Sequence, residues 1–193
     1  MAYSPMMQQY LQIKQNYQEH ILMFRMGDFY EMFFDDAVTA AKDLEIALTA
    51  RDGGSGKKIP MCGVPHHAVQ SYIPKLIEKG HRVVICEQTE DPKQAKGLVK
   101  REVTRVITPG TVMEEQSLED KNNNYLAAVF VAEEGCGLAF TDISTGLFKA
   151  AQFTGEQRER EMADELCRLR PAELLLPEST SHVVSDLLKD LIG

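Results

Sequence analysis

The sequence predicts a mixed α/β fold in two units, an interleaved helix-and-strand domain over residues 1–110 and a second, sheet-led domain over 125–193. Three observations lead there. Short apolar or β-branched runs alternate with amphipathic helical patterns as far as Pro109-Gly110, the order from which a sheet with packed helices is built. Residues 111–124 are rich in Glu, Asp and Asn and read as a linker. Beyond them, three strand-like runs follow in close succession before a helix, a strand and a last helix.

Element by element, Ser4-Pro5 offers an N-cap and a first helical position. Met6, Met7, Tyr10, Leu11 and Ile13 continue at helical spacing to about Tyr17. Ile21–Met26 is a compact apolar run fit for a buried strand, and Gly27-Asp28 turns it toward Phe29–Phe34. Asp35 and Asp36 suit a helix start, with alanines and Leu44 carrying the helix to about Glu45. A strand is expected over Ile46–Ala50 and a Gly-rich basic loop over Arg51–Lys58. Ile59–Val64 reads as a strand ending at Pro65, and a helix from Ala68 closes at Lys79-Gly80, with Pro74 kinking it or shifting its start. Arg82–Cys86 is β-branched, and Val99–Thr108 alternates up to Pro109-Gly110. In the second unit the expected strands are Tyr125–Ala132, Cys136–Ile143 and Leu147–Phe153. A helix over Glu156–Arg170, a strand over Ala172–Leu176 and a helix over Ser181–Leu191 follow. This βββαβα order reads as a sheet domain cut short, so the chain is expected to be a fragment.

Composition narrows the function classes. With 193 residues, 44% hydrophobic and 26% charged, the chain is an ordinary globular sequence, which excludes large-scale disorder. The formal net charge of -8 is concentrated in one half. Residues 1–108 hold 14 Lys and Arg against 13 Asp and Glu, whereas residues 109–193 hold 7 against 16. The first half therefore stays compatible with a polyanionic partner. No apolar run approaches the roughly 20 residues of a membrane span, and no basic-then-apolar leader opens the chain. Cys62, Cys86, Cys136 and Cys167 form no CxxC pair. A cytoplasmic setting with free, mostly buried thiols is expected.

Several motifs resolve to structural readings. The loop Gly53-Gly54-Ser55-Gly56-Lys57-Lys58 lacks the glycine four residues before its Gly-Lys and the Ser or Thr after the lysine that a Walker A loop requires. Cys62, His66 and His67 lie close together, but no second cluster completes a tetrahedral metal set. No serine sits in a GxSxG elbow. A metal-dependent nuclease needs converging carboxylates; the strand over Tyr125–Val131 carries none, and Asp142 alone reads as a strand-end or turn residue.

The segment Gly27-Asp28-Phe29-Tyr30-Glu31 is the most informative. In an extended chain residues i and i+2 share a face, so Phe29 and Glu31 would project together. A ring that wedges beside a carboxylate that accepts hydrogen bonds suits a stacked, hydrogen-bonding ligand such as a nucleobase. Composition alone favours the plainer reading, a turn whose Phe29, Phe33 and Phe34 fill the core.

The runs PMMQQY (5–10), FRMGDFYEMFFDDA (24–37), LTARDG (48–53), IPMCGVPHHA (59–68), ICEQTEDP (85–92) and KREVTRVITPGT (100–111) occur in order over almost all of residues 4–111. Together they resemble the MutS family of DNA mismatch-repair proteins. NNNYLAA (122–128) and TDISTG (141–146) extend the resemblance into that family's connector domain. It implies a mismatch-recognition domain over 1–110 and a partial RNase H-like connector over 125–193 without nuclease function. It also implies that Phe29 enters the minor groove and stacks on a mispaired base while Glu31 hydrogen-bonds the base edge. Met26 and Asp28 would lie beside this wedge, and Arg51 and Arg101 would face the DNA backbone, where contacts position without specifying sequence. The implied partners are double-stranded DNA with mismatches or small insertion/deletion loops, a MutS homodimer partner and MutL. ATP and magnesium would belong to an ATPase domain downstream, so this fragment is expected to be no enzyme by itself and to hold no cofactor. The alternative is a protein-interaction module docking a partner through its acidic second half.

Overall fold

The computed structural model describes residues 3–54, 56, 58–90, 97–112, 123–178, 184 and 186. The chain divides into two compact units, Met1–Ser117 and Leu118–Gly193.

In the first unit, helix α1 (Pro5–Lys14) starts where Ser4 Oγ accepts the Met7 N–H at 3.4 Å and Pro5 supplies a pre-set φ. Strands β1 (His20–Met26) and β2 (Phe29–Phe33) are followed by α2 (Phe34–Asp43), β3 (Thr49–Asp52), β4 (Lys58–Pro65) and a 3-10 turn (His66–Ser71). Helix α3 (Ile73–Glu78) and strands β5 (Arg82–Gln88) and β6 (Arg101–Ile107) complete the described elements. The sheet order is β3-β4-β2-β1-β5-β6; β1 and β5 run parallel and the other neighbours antiparallel.

Both faces of this sheet are covered, which is why β1 and β5 read as unbroken apolar runs. Ile21 and Met23 share a core with Ala40 of α2 and Leu76 of α3. Leu22 and Phe24, pointing the other way, pack with Met7 and Tyr10 of α1. Asp36 ties the layers together, accepting from the Tyr10 hydroxyl at 3.1 Å, Lys14 Nζ at 2.7 Å and the Leu22 N–H at 3.0 Å. Burial, aided by this carboxylate, drives the Tyr10 hydroxyl pKa upward.

Two expectations are corrected here. The strand predicted from Ile46 begins at Thr49, because Ile46 belongs to the end of α2. Glu45 takes a left-handed φ of 55°, the Ile46 N–H donates to the Ala41 carbonyl at 3.0 Å, and the Ile46 side chain packs on the α2/α3 core. This is a Schellman-type stop built on a glutamate where glycine is usual. The basic loop expected over Arg51–Lys58 is shorter, since Arg51 and Asp52 belong to β3 and Lys58 opens β4; Ser55 and Lys57 lie outside the described residues. Pro74 sits in the first turn of α3 and so shifts the helix start.

In the second unit β7 (Tyr125–Ala132), β8 (Gly135–Asp142), β9 (Leu147–Phe153), α4 (Arg158–Leu169) and β10 (Glu173–Leu175) build a sheet of order β10-β7-β8-β9. Strand β10 is parallel to β7, and the two remaining pairs are antiparallel. Met162 and Leu166 of α4 pack on Val129 and Leu138. The linker from 113 to 122 and most of the expected last helix lie outside the described residues, although Val184 is buried in this core. Asp142 is buried at the end of β8, where its carboxylate accepts from Ser144 Oγ at 2.6 Å and from the N–H groups of Ser144 at 3.0 Å and Asn124 at 3.3 Å. It organises a turn. Among the described residues no helix is long and apolar enough to cross a membrane.

Candidate nucleic-acid interface

The site is the tip of the β1–β2 hairpin. Met26 pairs with Phe29 across the two-residue turn Gly27-Asp28, and Gly27 has a φ of 59°. Glycine at the first central position suits the twist of a tight hairpin. Along β2 the alternation of a strand separates two sets of side chains: Tyr30 and Met32 enter the α2/α3 core, while Phe33 is buried on the α1 face. Phe29 and Glu31 therefore lie on the same face as Phe33. The cover over that face ends before the hairpin tip, leaving Phe29 47% exposed although Phe33 is fully buried.

Glu31 stands opposite Gly63 of β4, which carries no side chain. Its Oε2 receives a hydrogen bond from Arg51 Nη1 at 2.7 Å, an ion pair that reaches from β3 across β4. Asp28 holds the turn through its backbone: its carbonyl accepts from the His66 N–H at 2.9 Å, and His66 Nδ1 lies 3.2 Å from the same oxygen.

Arg101 departs from the expectation of a residue facing a phosphate backbone. It is only 8% exposed. Nε donates to the Arg25 carbonyl at 2.8 Å, and Nη1 donates to Gln9 Oε1 at 2.9 Å and the Val99 carbonyl at 3.0 Å. Nη2 lies 3.3 Å from the Met26 sulfur. The guanidinium also sits 4.8 Å from the centroid of the Phe24 ring, a favourable place for a desolvated cation. Burial lowers its pKa, while the nearby Glu31 charge acts the other way. Its donors are spent inside the protein, joining α1, the lead into β6 and the hairpin.

Behind the tip a second set of groups braces the same hairpin. The Tyr30 hydroxyl donates to Glu87, Arg25 pairs with Glu87 at 3.6 Å, and the Arg25 guanidinium lies 5.5 Å from the Tyr30 ring centroid. Burial, then Glu87, pushes the Tyr30 pKa up to about 12. Gln9, Tyr30 and Glu87 were not singled out in the sequence. Each lies inside a run quoted above, so motif membership was their only signal.

Other candidate chemistries find little support. Among the described residues no group of three or more His, Cys, Asp or Glu side chains converges as a metal site. Cys62 and Cys86 are buried, and burial raises their pKa values to about 11 and about 12, which disfavours a reactive thiolate. The glycine-rich run lies between β3, ending at Asp52, and β4, opening at Lys58, two strands paired antiparallel, so it has neither the sequence nor the following helix of a nucleotide-phosphate loop.

Comparison with known proteins converges on one family. The family model for MutS domain I matches residues 4–116, and that for MutS domain II matches residues 124–192. The DNA mismatch repair protein MutS of Pelotomaculum thermopropionicum is 58% identical over 184 residues, covering 95% of this chain and 21% of that relative. MutS of Syntrophomonas wolfei is 58% identical over 179 residues, covering 93% and 21%. MutS of Listeria innocua is 52% identical over 192 residues, covering 99% and 22%. The chain thus spans about a fifth of the length of these curated relatives.

Proposed function

Because the chain belongs to the MutS family, we propose that it recognises mispaired or unpaired bases in double-stranded DNA for mismatch repair, with the β1–β2 hairpin as the reading element. Phe29 enters the minor groove as an apolar wedge, and Glu31 holds the base it displaces. The observation that carries this reading is an exposed ring at the tip of a doubly braced hairpin, with a carboxylate two residues on along the same face.

The physics favours such an element. Wedging apolar side chains into a base step costs a few kcal/mol of unstacking, and a mispaired base lowers that cost. Selectivity then follows from the deformability of the duplex. A wedge can collect on that difference only if it does not yield first. The bracing by Arg101 in front and by Tyr30, Arg25 and Glu87 behind supplies that stiffness. Met26 and Asp28 flank the ring as sequence neighbours of the turn.

In this reading the chain contributes recognition and no catalysis. ATP, its magnesium ion, the ATPase activity, a MutS homodimer partner and MutL belong to a full-length protein. The first unit is nearly neutral, so affinity drawn from counterion release has to come largely from elsewhere in that protein.

Fluorescence anisotropy of the full-length protein on matched and G·T-mispaired duplexes, at two salt concentrations, tests the proposal. Phe29→Ala is expected to abolish the preference for the mispair and to leave weak binding to both duplexes. Full discrimination by that variant would overturn the wedge assignment.

A further inference from the structure

We propose that Arg51 is a positioning residue that acts through Glu31, neutralising the carboxylate and fixing which of its oxygens meets the base, and that it does not serve as a phosphate contact. This rests on the wedge reading above and deepens it.

A carboxylate beside a DNA groove is repelled by the phosphates, so a wedge carrying Glu31 needs a cation at hand. Arg51 is the cation in direct contact with the carboxylate, while the buried Arg101 acts on it only through its nearby charge. Arg51 Nη1 lies 2.7 Å from Glu31 Oε2; the Glu31 side chain is only 16% exposed and that of Arg51 39%, so solvent screens the pair from the arginine side while the carboxylate itself is largely withdrawn from water. Arg51 pairs with Ile59 in register, and Ile59 is buried on the α1 face. Arg51 and Glu31 therefore share one face of the sheet, with β4 between them. Glycine at position 63, opposite Glu31, presents no side chain on that face. A Cβ there would also come within 3.2 Å of the Tyr30 carbonyl.

The ion pair occupies one oxygen only. Among the described residues Oε1 has no hydrogen-bond donor, and it is the atom left to accept from a base. A guanidinium already committed to a carboxylate forms a nearly neutral pair, which attracts a phosphate weakly. The arrangement thus presents one oriented acceptor next to Phe29 and keeps the charge cost of that acceptor low.

A double-mutant cycle in the full-length protein separates the two roles. Arg51→Gln, Glu31→Gln and the double variant are titrated with matched and G·T duplexes at two salt concentrations, and Arg51→Lys reports on charge without the planar fork. Arg51→Gln is expected to reduce the mispair-to-match affinity ratio about tenfold, the scale of one charge-assisted hydrogen bond. Its affinity for matched DNA and the salt slope should hardly change, and it should have no further effect in the Glu31→Gln background. Equal weakening on both duplexes in both backgrounds, with the salt slope reduced by about one, is the signature of a phosphate contact and would overturn the inference. Phe29→Ala is run alongside. Intact discrimination in that variant removes the wedge reading itself, whereas lost discrimination with an additive Arg51/Glu31 cycle removes only the positioning role.

Discussion

Met26 and Phe29 form the last pair of the β1–β2 hairpin, so the residue anchored to Arg101 and the residue that protrudes are separated only by Gly27 and Asp28. The geometry of that turn sets where the ring points. Gly27 holds a φ of 59°, and a Cβ added there would meet no atom within 4 Å. The cost of a side chain is therefore conformational. Gly27→Ala is expected to destabilise the protein by about 1–2 kcal/mol, and Gly27→Asn by less, since asparagine tolerates the left-handed region. Urea denaturation of the two variants checks the order. An alanine variant as stable as the parent would show that the turn does not need this backbone conformation.

Arg101 connects three segments through one guanidinium. Truncating it leaves the carbonyls of Arg25 and Val99 and the Gln9 amide oxygen without their shared donor. Arg101→Ala is expected to cost about 3 kcal/mol of stability, as befits a buried, hydrogen-bonded cation. A surface residue serving DNA alone would change stability by less than about 0.5 kcal/mol. Chemical denaturation in the absence of DNA separates the two, and an unchanged midpoint would return Arg101 to the list of possible phosphate contacts.

Arg101 also marks where the sequence stops being legible. Its expected place facing the DNA backbone came from the family resemblance alone, and nothing in the one-dimensional pattern says that Gln9 and Arg25 converge on the same guanidinium from 92 and 76 residues away. The elements themselves were readable wherever their signals are local: Ser4-Pro5 for the start of α1, Gly27-Asp28 for the hairpin, continuous apolar runs for β1 and β5. Ile46 was misplaced because the stop of α2 uses Glu45 in a conformation normally signalled by glycine. The Glu31–Arg51 pair escaped for the same reason as Arg101, since it depends on β4 lying between two strands 20 residues apart in sequence.

Asp142 predicts a pH dependence for the second unit. The Ser144 hydroxyl first, with the N–H groups of Asn124 and Ser144, holds its carboxyl below the ordinary Asp value of 3.8 against the opposing effect of burial. A folded-state pKa below the unfolded one means that the unfolded chain binds the extra proton. Stability from this group is then fully present above the ordinary Asp range and is lost as pH falls through the lower, folded-state value. The unfolding midpoint of the second unit should fall in acid, and Asp142→Ala should be less stable at neutral pH with a flatter acid limb. Thermal unfolding followed from pH 7 down to about pH 3 measures both, and parallel limbs for the two proteins would contradict the assignment.

Phe29 and Phe33 lie on the same face of one strand, and their fates under truncation should diverge. Phe33 is fully buried and meets the Tyr10 ring edge-on with centroids 5.0 Å apart. Removing it opens a cavity beneath α1, with an expected loss of about 3–5 kcal/mol. Phe29 is 47% exposed beyond the cover of α1, so its truncation forfeits little burial and should cost no more than about 1 kcal/mol. The contrast matters because composition alone favours a core role for both rings. Urea titration of Phe29→Ala and Phe33→Ala, paired with duplex binding, decides between the readings. A wedge gives a stable Phe29→Ala protein that no longer tells a mispair from a match. A core residue gives a destabilised one that, while folded, still discriminates.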